Sequence, residues 1–153
     1  MEEREKEKMN QEKYNASGAY DPVTYAALEK VSMEEEARKW PVVYICSPLA
    51  GNVEKNLANA KRYSRFASMN GAVVFTPHFY AEYLDDDLER ERDLAICMNE
   101  RMLKLCDEVW VFGKRISPGM KAEIAMAERR CMKVRYFNEG CREVSKRYSE
   151  GRY

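Results

Sequence analysis

A single histidine stands among the 153 residues, and the five cysteines (Cys46, Cys97, Cys106, Cys131, Cys141) show no CxxC spacing. A Cys/His zinc site has too few ligands to form, and no disulfide framework is suggested. Thiols inside apolar runs behave as small hydrophobes, so a reducing, cytoplasmic setting is expected. The chain also lacks any apolar run near the roughly 20 residues that span a bilayer. Its first residues, Met1-Glu2-Glu3-Arg4-Glu5-Lys6, have no apolar stretch behind them of the kind a secretory signal needs. There is no excess of charge of either sign, because 26 basic and 26 acidic residues cancel. That removes the global electrostatic reason to expect nucleic acid or an anionic membrane as a partner. Nothing in the residues calls for a metal or an organic cofactor.

What the sequence does contain is order in its middle. Charge is dense in the first 40 positions and the last 15, leaving an apolar centre. Residues 1 to about 20 are polar and carry no helical stripe, and read as a disordered start. Asp21-Pro22 then supplies an N-cap and a first helical residue, and Tyr25, Leu28 and Val31 continue a short helix over about 22–38. The expected organisation is an N-terminal arm at 1–39, one α/β domain at 40–138 and a charged tail at 139–153.

Within the domain, strands and helices alternate. Strands are expected at Pro41–Cys46, Ala72–Thr76, Glu108–Phe112 and Lys133–Phe137, with helices at Val53–Asn70, Leu88–Leu105 and Pro118–Met132 between them. On the long helix, Leu94, Met98 and Leu105 are expected to face inward. Short connections and β-branched strands argue for a single flavodoxin-like (Rossmann-like) domain. Its parallel sheet would have four or five strands and helices on both faces. Such sheets bind ligands outside the carboxyl ends of the strands, where the strand order reverses. The loops after Cys46, Thr76 and Phe112 would meet there.

The most informative loop is Ser117-Pro118-Gly119-Met120-Lys121-Ala122-Glu123. Ser117 suits an N-cap and Pro118 the first helical position, while Gly119 admits close approach to the backbone. Free N–H groups at a helix start attract an anion, with Lys114 and Arg115 beside them, although an ordinary capped helix has the same signature. Met120, Ile124, Ala127 and Cys131 make the buried stripe, and Glu123 lies on its shoulder. Position alone favours a solvated surface glutamate over a pocket carboxylate. His78 follows a strand end and is a candidate ligand contact, though a lone histidine is more often structural. Asp85, Asp86 and Asp87 read as a solvated helix start rather than a metal site.

Three stretches together carry a resemblance. They are Val43-Tyr44-Ile45-Cys46-Ser47-Pro48-Leu49-Ala50-Gly51, Cys106-Asp107-Glu108-Val109-Trp110-Val111-Phe112-Gly113, and Ser117-x-Gly119-x-x-x-Glu123-Ile124-x-x-Ala127. Over about residues 41–137 the chain resembles the nucleoside 2-deoxyribosyltransferase-like superfamily, and more narrowly its small DUF4406-type proteins. The resemblance implies that Glu123 is a nucleophile attacking the anomeric carbon of a nucleoside or nucleotide, as in retaining glycosidases. It implies that Tyr44 positions Glu123, and that Ser47, Gly51, His78, Ser117, Pro118 and Gly119 contact the substrate. Ser117 stands where nucleoside 5′-monophosphate hydrolases of that superfamily carry a phosphate-binding serine. Asn99 stands where active relatives often have an aspartate near the leaving base, and an amide cannot donate a proton as an acid.

The expected function is therefore cleavage of a nucleoside or nucleoside 5′-monophosphate N-glycosidic bond, or deoxyribosyl transfer. The alternative is a non-catalytic nucleotide-binding module, and a third reading makes the N-terminal arm a docking element. A homo-oligomer is expected by the same resemblance.

Overall fold

The computed structural model describes residue 19 and residues 21–146. The polar start at 1–18 and the end of the charged tail at 147–153 lie outside the described residues. Residues 1–39 and 40–153 form two separate units. In the first, helix α1 runs over Pro22–Ala37. Asp21 caps it by accepting from the backbone N–H of Val23 at 3.1 Å and of Thr24 at 3.3 Å. The hydroxyl of Thr24 donates back to the same carboxylate at 2.7 Å.

The second unit is built on strand alternation. Strands β1 (Val42–Cys46), β2 (Val73–Phe75), β3 (Glu108–Phe112), β4 (Lys133–Phe137) and β5 (Glu143–Val144) form one five-stranded sheet in the order β2-β1-β3-β4-β5. The first four are parallel, and β5 pairs antiparallel with β4. Between the strands lie α2 (Val53–Met69), a short 3-10 helix (Pro77–Glu82), α3 (Glu89–Leu103) and α4 (Pro118–Arg129). This is the expected flavodoxin-like α/β fold. Chain beyond Asn138, expected as a charged tail, supplies the fifth strand at its start.

Strands β1 and β3 sit side by side in the centre, which explains their nearly unbroken apolar sequences. Alternation sends Val43 and Ile45 to one face, where they pack with Tyr63, Ala67, Trp110, Phe112 and Phe137 beneath α2. Phe112 is stacked between Tyr63, at 4.4 Å between ring centroids, and Phe137, at 4.8 Å. Tyr44 and Cys46 go to the other face, among Leu103, Val109, Val111, Met120, Ile124 and Ala127 under α3 and α4. Each fully buried side chain of this kind contributes roughly 1.5–3 kcal/mol.

The register of α3 differs from the one its leucines suggest. Leu94 is 50% and Leu105 63% exposed, whereas Leu103 is buried. The inward row is Ala95, Met98, Asn99, Met102 and Leu103, continued by Cys106, at helical spacing. Leu105 lies past the end of the helix and falls on the solvent side.

Because β2 and β3 flank β1 on opposite sides, the connections from β1 and from β3 leave the sheet in different directions. A crevice opens at the carboxyl ends of these two strands. Everything functional described below lies at or beneath that crevice.

Candidate functional site

Two loops shape the crevice. The loop after β1 turns at Gly51, whose φ of +98° is a left-handed conformation that strains any residue with a Cβ. The side-chain amide of Asn56 holds this loop by donating to the carbonyls of Leu49 at 2.9 Å and Ala50 at 3.1 Å. The loop after β3 leads through Gly113, Lys114 and Arg115 to Ser117. There the hydroxyl oxygen of Ser117 accepts from the backbone N–H of Met120 at 3.3 Å and caps α4. The hydroxyl hydrogen stays available to a ligand. Between the loops lies a cavity of about 550 Å³, lined among others by Ser47, Gly51, Asn56, Lys114, Arg115 and Ser117.

Both helix starts at this cavity are capped, α2 by Asn52 and α4 by Ser117. Lysine and arginine side chains from Lys55, Lys114 and Arg115 line it, with Glu139 the one carboxylate among its lining residues. Helix N-termini and cations favour an anionic group. Of the residues expected to contact substrate, Ser47, Gly51, Ser117 and Pro118 line this cavity, whereas Gly119 and His78 do not. Sequence reasoning passed over Asn52, Asn56, Asn59 and Tyr63. Their spacing of four, three and four puts them on one face of α2, and that polar stripe was the signal.

Glu123 lies one and a half turns below the Ser117 cap and is not a solvated surface residue. It is half-buried, and its carboxylate turns toward β1, where the Tyr44 hydroxyl donates to Oε1 at 2.8 Å. Tyr44 itself is fully buried. The Cys46 side chain, two residues along the same strand, projects to the same face of β1 as Tyr44. Burial raises the Glu123 pKa, and the hydrogen bond from Tyr44 pulls it partly back. Burial also raises the Tyr44 phenol strongly, reinforced by the negative charge of Glu123, so this donor keeps its proton. The arrangement is a carboxylate partly withdrawn from water and oriented by the Tyr44 hydroxyl, a form in which a carboxylate serves as nucleophile or base.

Asn99, on the inner side of α3, lines a smaller cavity of about 120 Å³ with Leu49, Pro77, Tyr80, Ala95 and Ile96. Its side-chain Oδ1 is buried and has no hydrogen-bond partner. An orphaned amide beside an aromatic ring offers both a donor and an acceptor to a ligand edge. Glu123 lines neither this cavity nor the larger one.

His78 is buried on the 3-10 helix rather than at the rim. Its Nε2 donates to the Ser47 carbonyl at 2.9 Å, with the Pro48 carbonyl at 3.3 Å and the Ser47 hydroxyl at 3.1 Å. Carbonyls only accept, so Nε2 carries the proton and Nδ1 is the bare nitrogen, buried without a partner. Burial lowers the His78 pKa, opposed by the two carbonyl contacts. The ring therefore brackets the Ser47-Pro48 turn against the 3-10 helix. Asp85, Asp86 and Asp87 organise the start of α3. The backbone N–H of Asp85 donates to Glu91 at 2.6 Å, and Arg92 pairs with Asp86 at 3.4 Å. Among the described residues no group of three or more His, Cys, Asp or Glu is placed to hold a metal ion. No helix there is long and apolar enough to cross a membrane.

Residues 41–137 match the family model of a domain of unknown function, DUF7768, and the chain belongs to that family. The match is to DUF7768 and not to the DUF4406-type branch suggested by the motifs. No curated protein matches the chain. Among solved structures, the chain is similar in fold to a 2-deoxyribosyltransferase from the psychrotolerant bacterium Bacillus psychrosaccharolyticus. The TM-score is 0.53 at 16% sequence identity, over 63% of this chain and 71% of that one.

Proposed function

We propose that this member of the DUF7768 family binds a nucleoside or nucleoside 5′-monophosphate and cleaves its N-glycosidic bond through Glu123. The observation that carries the reading is the buried Glu123 carboxylate held by the Tyr44 hydroxyl. A carboxylate oxygen attacks the anomeric carbon, the bond to the base nitrogen breaks, and the base leaves with the electron pair and takes a proton from water. A glycosyl ester on Glu123 remains, which water hydrolyses or a second base displaces in deoxyribosyl transfer. Ser47, Gly51, Ser117 and Pro118 surround the sugar and phosphate, with Lys114 and Arg115 adding charge. Asn99 meets the base edge, and His78 holds the Ser47 turn in shape.

A second reading is supported by Asn99, which supplies no acid, and by Glu123 lining neither of the two cavities described above. In it the same pocket binds a nucleotide without turnover. The deciding experiment incubates wild type and Glu123→Ala with a panel of nucleosides and 5′-monophosphates and separates free base by chromatography. Release by wild type alone supports the enzyme; equal release by both removes Glu123 from the chemistry. A nucleotide-dependent rise in melting temperature with no base released supports the binding module.

The chain further fits a homo-oligomer. Phe79, Tyr83, Leu94, Ile96 and Leu105 leave large apolar surfaces in water along the 3-10 helix and α3. Light scattering of the purified protein tests this, and a monomer mass refutes it. Five unbridged cysteines fit a reducing cytoplasm.

A further inference from the structure

The polar stripe on α2 has no part in the chemistry assigned to Glu123, because it lies on the other face of the sheet. Tyr44 and Glu123 meet under α4, beside Met120 and Ile124, whereas Tyr63 packs on the opposite face with Val43, Ile45 and Phe112. Yet Asn56, Asn59 and Tyr63 line the same 550 Å³ cavity as Ser117. We propose that the α2 side of this cavity is a subsite for a sugar on the far side of the phosphate. The full ligand is then a nucleotide whose phosphate or diphosphate carries a second sugar. The inference rests on the reading of the cavity as an anion site and deepens its substrate class, and it does not require turnover at Glu123.

Tyr63 marks the subsite. It is 2% exposed, with its ring stacked on Phe112 at 4.4 Å and the Arg62 guanidinium over the ring at 5.0 Å. Tyr63 lines the cavity, and among the described residues its hydroxyl has no hydrogen-bond partner. A buried phenol ordinarily finds a partner, and one left open at a cavity wall is satisfied by water or by the group that displaces it. With its ring covered, Tyr63 offers the cavity a hydroxyl and not a stacking surface.

The neighbouring groups define what enters. Asn56 spends its amide N–H groups on the carbonyls of Leu49 and Ala50, which leaves its Oδ1 as an acceptor. Asn59 accepts from Arg62 at 3.3 Å and keeps its own N–H groups as donors. Glu139, just past β4, is a carboxylate and only accepts. A second anion beside Glu139 would be repelled, and an apolar group would leave all these atoms unmet. Hydroxyls donate and accept at once, and a sugar presents several on one small ring.

Spacing puts that sugar one unit beyond the anion. At 1.5 Å per residue, Asn56 is about 6 Å and Asn59 about 10 Å along α2 from the Asn52 cap. Helical side chains lean toward the N-terminus, so the long Tyr63 side chain reaches back over the same stretch. Helix α2 covers one face of the sheet and α4 the other. An anion between their starts therefore stands where a substituent can pass to either face. A nucleoside 5′-monophosphate has one organic substituent and leaves the α2 wall to water, whereas a phosphate linked to a second sugar uses both.

The test is calorimetric titration of three matched pairs: ADP and ADP-ribose, UDP and UDP-glucose, GDP and GDP-mannose. At least one sugar-bearing member is expected to bind about tenfold tighter than its partner, the increment of one or two good hydrogen bonds. Tyr63→Phe and Glu139→Gln are each expected to reduce that ratio severalfold. Because the Tyr63 hydroxyl has no partner in the described protein, Tyr63→Phe should keep the wild-type urea midpoint, which separates a ligand contact from a structural role. Glu139 lies on an exposed turn, so its variant carries the test should Tyr63→Phe misfold. A ratio near one in every pair overturns the proposal, and so does a ratio that survives both variants. Sugar-dependent binding with no base released would defeat the glycosidase reading and leave the subsite standing. Base release with ratios near one would defeat the subsite alone.

Discussion

Removing the Tyr44 hydroxyl and the Glu123 carboxylate separately and together should expose a strong coupling between them. Tyr44 is fully buried and its hydroxyl lies 2.8 Å from Glu123 Oε1, so the phenol has no water to fall back on when the half-buried carboxylate is cut away. Tyr44→Phe removes the side-chain donor that holds the carboxylate. Glu123→Met leaves a phenol hydroxyl in an apolar slot. A hydrogen bond to a charged group contributes about 1.5–3 kcal/mol, and an orphaned buried partner costs a similar amount. The double variant orphans neither group, so each single change should destabilise more than the double variant implies by addition. The expected coupling energy is about 2 kcal/mol at pH 8, within the range seen for residues in direct contact.

The pH dependence sharpens the test. Burial raises the Glu123 pKa above its ordinary 4.5, so the native state holds its proton more tightly than the unfolded chain does. That contribution to stability is fully present below pH 4.5 and is lost as pH rises through the native pKa. The same titration converts a neutral hydrogen bond from Tyr44 into a charge-assisted one, so the coupling should be weaker at pH 4 than at pH 8. Urea unfolding of the four proteins at both pH values measures all of this. A coupling under about 0.5 kcal/mol at pH 8, or one independent of pH, would refute the claim that this bond holds a carboxylate.

Three further outcomes follow from the crevice. His78 has a lowered pKa, so its neutral burial stabilises above its ordinary 6.5 and this contribution is lost as pH falls through the native value. His78→Gln keeps a donor for the Ser47 carbonyl. The stability difference between wild type and this variant should therefore shrink below pH 6.5, with the Glu123 titration common to both, and a flat difference would contradict the buried bare Nδ1. Ser117→Ala should cost about 1 kcal/mol in urea midpoints through loss of the cap, while Ser117→Asp keeps the cap. If the cavity takes a phosphate, the aspartate variant should lose at least about tenfold in affinity for a nucleoside 5′-monophosphate by calorimetry and much less for the nucleoside. Gly51→Ala meets nothing within 4 Å, so backbone strain at φ +98° is its whole cost. A loss of about 1–2 kcal/mol with unchanged urea slope is expected, and a neutral result would mean that the loop relaxes.

How far the sequence could be read depended on where the information resides. Strands β1 and β3 are buried on both faces, so their apolar runs announced them without help from partners. Asp21 and Ser117 announced their helices because a cap is a local hydrogen bond, and both caps were found in the form read. The short strand β5 is different. Two residues carry no period, and the hairpin depends on Asn138 accepting from Gly140 and Arg142 and on the two-pronged pairing of Arg135 with Glu143. Those contacts cross between elements and leave no pattern in either. The facing of α3 failed for a related reason, since its inward row uses Asn99 and two methionines while two conspicuous leucines point to water. At the site, Glu123 was legible only through the resemblance, because its bond to Tyr44 joins residues 79 apart and leaves no local pattern.

The depth of Glu123 bears on what kind of ligand can use both parts of the site. From the Ser117 cap to Glu123 is six residues, which at a helical rise of 1.5 Å per residue is about 9 Å along α4. An anion held at the start of that helix is therefore well separated from the carboxylate, and a bare phosphate cannot engage both. A nucleoside alone would reach the carboxylate and leave the helix start, Lys114 and Arg115 unused. A nucleoside 5′-monophosphate has a charged end, a sugar and a base, and so offers one group each to the charged cavity, the carboxylate and the Asn99 amide. Binding energy gathered at the phosphate end could then draw the sugar toward Glu123, so that a remote contact raises turnover as well as affinity. On that logic phosphate removal should depress kcat and not KM alone, whereas a pure binding module would register only the loss of affinity.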